Sequence, residues 1–130
     1  MKFMLLMNYY VEGVEPVTEW APQDVQAHME FQDSFYKRLT ESGELVDAQG
    51  LAWPDAAKKV VKKDGDAVVT DGPFAESKEF LAGYWIIDVE SVERAVEIAG
   101  EASAAPGPHG KPLGQEILVR EIMSAPPVEQ

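Results

Sequence analysis

His28 is the side chain with the clearest capacity for chemistry, and it lies on a run with helical spacing. Val25, Met29, Gln32, Phe35, Tyr36 and Leu39 recur at that period, and His28 falls on the same stripe. His28 and Gln32 therefore sit one turn apart on or beside a buried face, an uncommon place for two polar groups. The second conspicuous feature is the turn DGPFAESKE, which opens with Asp71 just ahead of Gly72-Pro73. A carboxylate hydrogen-bonded to one imidazole nitrogen would fix the tautomer of His28 and support its basicity. The other nitrogen could then take or give a proton at a small polar organic molecule. Such a step contributes roughly 10²–10⁴-fold in rate.

Each of these residues also has a plainer reading. His28 can be a hydrogen-bonded boundary residue of the core. Asp71 can simply accept backbone N–H bonds of its turn, with Pro73 presetting φ. Phe74 either anchors that turn or lines a pocket. Glu76, Lys78 and Glu79 read as solvated charges, although one directed inward would have a perturbed pKa and could act as acid or base. Tyr84 is either a core aromatic with a bonded hydroxyl or a ligand contact. The chain has two histidines and no cysteine, and His28 and His109 do not share a metal-ligand spacing, so no metal or other cofactor is expected. His109, in PGPHGKP, reads as surface loop. The glycines at 107–114 do not lead from a strand into a helix, and no G-x-S-x-G is present.

These residues need elements to hold them. Lys2 to Tyr9 is a short apolar run, read as a central strand. Tyr9 to Trp20 has loop composition. A helix is predicted from Pro22, with Asp24 in its first turn, to a stop at Ser42-Gly43. Glu44 to Trp53 reads as a strand with a bulge at Gly50, broken by Pro54-Asp55. Asp64-Gly65 between two β-branched runs predicts a hairpin. Its lysines 58, 59, 62 and 63 blunt an exposed edge. Leu81 to Val89 is the best strand pattern. Ser91 is a good N-cap for a second helix burying Val92, Ala95, Val96, Ala99 and Ala102. Ser103 to Gly114 is a Pro/Gly loop, and Gln115 to Met123 a last strand.

The order is βαββαβ with an inserted hairpin: an α+β, ferredoxin-like sandwich with both helices on one face of a four-stranded sheet. Both faces of the Leu81–Val89 strand carry large apolar groups. The face away from the helices therefore needs a cover, and a two-fold homodimer is expected. Residues 1–123 are expected to form a single domain and 124–130 a loose tail. The formal net charge of −12, from 23 acidic and 11 basic side chains, disfavours nucleic acid and anionic membrane surfaces. The opening MKFMLLMNYY has too short an apolar run for a membrane span and no cleavage site, so a cytoplasmic protein is expected.

The stretch Asp71-Gly72-Pro73-Phe74-Ala75-Glu76-Ser77-Lys78-Glu79 resembles the signature of the DGPF group of YCII-related proteins. Ser77 stands where Thr is usual. The opening KFMLL, Gly83-Tyr84 before a strand ending in Asp88, and the closing LVREIM extend the likeness along the chain. The resemblance implies a dimeric α+β barrel, and it implies little about activity. Relatives in the wider superfamily include lyase-like enzymes that use a His–Asp pair. By that likeness His28 is the histidine, and Asp71 or, second, Asp47 the aspartate. Gln32, Phe74 and Tyr84 would contact the substrate. The rival reading is a non-catalytic binding or interaction module whose DGPF turn is structural.

Overall fold

A computed structural model describes residues 1–8, 11–72 and 81–123. In chain order these form β1 (Lys2–Asn8), α1 (Pro22–Glu41), β2 (Leu45–Gly50), β3 (Lys58–Lys63) and β4 (Asp66–Asp71). Then follow β5 (Leu81–Asp88), α2 (Val92–Ser103) and β6 (Ile117–Glu121). The main sheet has the order β2-β5-β1-β6, antiparallel throughout, and β3-β4 form a separate two-stranded sheet. This is the ferredoxin-like arrangement with a hairpin inserted between its second and third sheet strands.

Register decides which side chains meet the helices. Phe3 pairs with Ile87 and Leu5 with Trp85, and all four are buried. With Phe35 and Leu39 of α1 and Ala95, Ile98, Ala99 and Ala102 of α2 they make the core. Phe35 meets Trp85 edge to face, with ring centroids 5.6 Å apart. The alternate residues, Met4 paired with Ile86 and Leu6 with Tyr84, line the opposite face of the sheet. Leu118 joins them there and is 54% exposed. The described chain puts no helix over that face.

The helix boundaries follow their caps. Pro22 opens α1, and the side chain of Ser91 accepts the Arg94 backbone N–H at 3.2 Å to open α2. Asp64 and Gly65 take φ of 52° and 85°, as a tight hairpin turn between β3 and β4 requires.

Three expectations change. On α1 the stripe is narrower than the spacing suggests: Met29 and Tyr36 are exposed, and only Phe35 and Leu39 are fully buried. On α2, Val92 and Val96 are exposed and Ile98 is buried, because the helix is rotated to bring its small residues and Ile98 onto the sheet. The irregularity in β2 falls between Leu45 and Asp47, not at Gly50, which pairs regularly with Gly83. A Cβ at Gly83 would lie 2.7 Å from the Gln49 carbonyl oxygen, so that strand pair closes only over a glycine.

Candidate functional site

His28 projects from the second turn of α1 toward the loop after α2. Its Nδ1 lies 2.9 Å from the carbonyl oxygen of Pro106. A carbonyl only accepts, so Nδ1 carries the proton of this bond and, in the neutral ring, Nε2 holds the lone pair. The ring also meets Trp20 in a T-shaped contact at 5.5 Å. Trp20 is itself fixed, its Nε1–H donating to the Glu15 carbonyl at 2.8 Å. Among the described residues Nε2 has no hydrogen-bond partner. No buried side-chain nitrogen or oxygen among the described residues lacks one, so Nε2 is open to solvent.

The loop that supplies Pro106 is built for rigidity. Pro106 and Pro112 form a bridge, Leu113 N–H donates to Ala105 O at 2.9 Å, and Gly107 N–H to Lys111 O at 2.7 Å. Its tip is tied to α1, where Asp24 Oδ2 accepts the His109 backbone N–H at 3.1 Å. One aspartate near the helix start thus holds the loop that orients the histidine one turn later.

His28 opens onto a cavity of about 490 Å³ at the end of the sheet, within the usual range for small-molecule sites. Its walls come from the ends of β1 and β5, the loop before α1, the first turns of α1 and the segments after β2 and before β6. The lining is mainly apolar, with Trp20 and Trp53 its largest members. Four polar residues reach it: Asn8, Glu15, His28 and Gln115. Gln115 is buried and donates an Nε2–H to the Asn8 carbonyl.

The other expected site residues lie elsewhere. Asp71 ends β4 on the exposed hairpin, where it pairs with Lys58 at 2.6 Å. Asp47 lies on the open face of the sheet, accepting from Tyr84 Oη and from Gln49 Nε2, each at 3.2 Å. Neither aspartate hydrogen-bonds to His28, so the structure does not assemble a His–Asp pair from these candidates. The physical reason is placement: α1 packs on the opposite face of the sheet from Asp47, and Asp71 is held out on the arm. Tyr84 and Gln32 do not line the cavity. Phe74 lies outside the described residues. Among the described residues no group of three or more His, Asp or Glu could hold a metal ion, and no helix is long and apolar enough to cross a membrane.

Sequence reading passed over Pro106, Trp20, Trp53, Glu15 and Gln115. The only signal for them was Trp20, a large apolar ring in a segment of loop composition with no strand or helix face to bury on. Pro106 acts through its backbone, which leaves no signature in residue types.

The fold and cavity together define a small ferredoxin-like α+β protein with a histidine-bearing pocket beside its first helix. Residues 1–107 match the YCII-related domain, and the chain belongs to that family. It is also 33% identical, over 92 residues, to an uncharacterized protein of Rhizobium meliloti (strain 1021), covering 70% of this chain and 74% of that one. The family match ends before β6, which nonetheless pairs with β1 at the edge of the same sheet.

Proposed function

We propose that this YCII-related protein binds a small organic molecule in the His28 cavity and that His28 transfers a proton to or from it. The observation that carries this reading is the asymmetry of the imidazole. Nδ1 is tied to a backbone carbonyl in a braced loop, and the ring lines an apolar cavity, which leaves Nε2 as the nitrogen to serve it. The Pro106 carbonyl takes the orienting part that an aspartate was expected to play. A carbonyl carries no full charge, so it selects the tautomer without the electrostatic support a carboxylate would lend to an imidazolium. That favours a substrate whose proton needs only a mild base.

The test begins with compounds that bind the full chain, found by ligand-observed NMR and incubated in D2O. Deuterium should enter the bound compound, and His28→Asn should slow that exchange by about a hundredfold or more while binding persists. Exchange unaffected by His28→Asn would overturn the catalytic role. Binding without exchange in the wild type would mark the protein as a non-catalytic binding module, the rival reading.

The DGPF motif at residues 71–79 supports a finer placement in the DGPF group. The apolar face of Met4, Leu6, Tyr84, Ile86 and Leu118 supports assembly as a homodimer through that face. Sedimentation equilibrium should then give a dimer, and Ile86→Glu a folded monomer. A monomeric wild type would overturn the assembly.

A further inference from the structure

We infer that the cavity selects a hydrophobic amine in its ammonium form, an inference that rests on the small-molecule reading above and assigns the ligand class. Of the four polar residues at the cavity, Glu15, His28 and Gln115 can each accept, and the Asn8 amide can accept or donate. Gln115 gives one N–H of its amide to the Asn8 carbonyl, and its Oε1 is left as an acceptor. Glu15 is a lining residue, and its backbone carbonyl accepts the Trp20 indole N–H, which ties the acid's backbone to that ring. His28 offers a lone pair at Nε2. A ligand that satisfies Glu15, His28 and the Gln115 oxygen must bring donors.

Charge and surface narrow the class. Among the described lining residues there is no Lys or Arg, and the one formal charge is that of Glu15. An anionic ligand would give up its hydration in an apolar cavity whose described lining holds no cation, at a large cost. An ammonium gains from the carboxylate and from the faces of Trp20 and Trp53, since cations are drawn to indole rings within about 6 Å. The rest of the wall is apolar, which suits an aryl or alkyl body. At −12 the chain as a whole draws cations toward it. In this arrangement Glu15 and the indoles hold the ammonium, and Nε2 of His28 remains for the reacting proton.

The test uses three molecules of one shape: 3-phenylpropylamine, 3-phenylpropanol and 3-phenylpropionate. Binding to the full chain is read by calorimetry and by the indole N–H signal of Trp20. The amine should bind about tenfold more tightly than the alcohol, with the carboxylate weakest. Glu15→Gln should weaken the amine about fivefold and leave the alcohol within about twofold. Glu15 is exposed, so this variant should fold normally. Alcohol or carboxylate binding as tightly as the amine, or an amine affinity indifferent to Glu15→Gln, would overturn the ligand class and leave the pocket standing. Failure of all three compounds to move the Trp20 signal would overturn the pocket reading along with it.

Discussion

Nδ1 of His28 and the carbonyl oxygen of Pro106, 78 positions apart in the chain, lie 2.9 Å from each other. The bond joins the first helix to the loop after the second and decides which imidazole nitrogen is open. Neutral His28 should therefore be the Nδ1–H tautomer. Long-range ¹H–¹⁵N correlation spectra of the imidazole should show that pattern for His28. Asp24→Ala, which releases the His109 N–H and with it the loop tip, should mix in the other tautomer. A pure Nε2–H pattern in the wild type would mean that the carbonyl does not orient the ring.

Two facing glycines separate steric closeness from mere backbone freedom. Gly83 and Gly50 pair across β5 and β2, but only Gly83 is crowded: its Cβ would meet the Gln49 carbonyl at 2.7 Å, while nothing lies within 4 Å of a Cβ at Gly50. Gly83→Ala should cost about 1–3 kcal/mol in urea unfolding. Gly50→Ala should stay within about 0.5 kcal/mol of wild type. Equal effects would show that the strand pair closes less tightly than described.

Glu44 and Arg94 clip the start of β2 to α2 through two bonds, Nε to Oε2 at 2.8 Å and Nη2 to Oε1 at 2.9 Å. The hydrogen bonds from Arg94 hold the Glu44 carboxyl below its ordinary value of 4.5, against the opposing effect of burial. A carboxyl depressed in the folded state stabilises it above the unfolded pKa and loses that contribution as pH falls through the folded one. Arg94→Met should thus lower stability by about 1 kcal/mol at neutral pH, and the gap should close as pH falls below 4.5. A gap independent of pH would assign the loss to packing of the arginine stem.

Tyr84 should ionise above its ordinary value of 10.0, first because burial penalises the phenolate and then because Asp47 adds negative charge and accepts the hydroxyl proton. A folded pKa raised in this way favours the native state below the unfolded value and ceases to do so as pH rises through the folded one. Asp47→Asn should lower the Tyr84 midpoint in an ultraviolet titration referenced to Tyr84→Phe. It should still stay above the ordinary value, since burial remains. No movement on Asp47→Asn would remove the aspartate from the cause.

The architecture was legible in the chain because it rests on local signals. Strand runs, Pro22 and Ser91 at helix starts, and Asp64-Gly65 at the hairpin turn all act through backbone preferences of neighbouring residues. The βαββαβ order then left few ways to fold. Helix faces were read less well, because the rotation of a helix is set by what it packs on. Ile98 lies against the sheet while Val92 and Val96, at equally apolar positions, face out. The chemistry was half legible. His28 stood out by type and spacing, but its partner did not, because a hydrogen bond to a backbone carbonyl has no residue type to search for. Only the tertiary structure drew Asp71 away to Lys58, set Asp47 against Tyr84, brought Pro106 and Trp20 to the His28 ring, and gathered Glu15 and Gln115 onto the same cavity. Local sequence can specify an element, but a cavity exists only between elements.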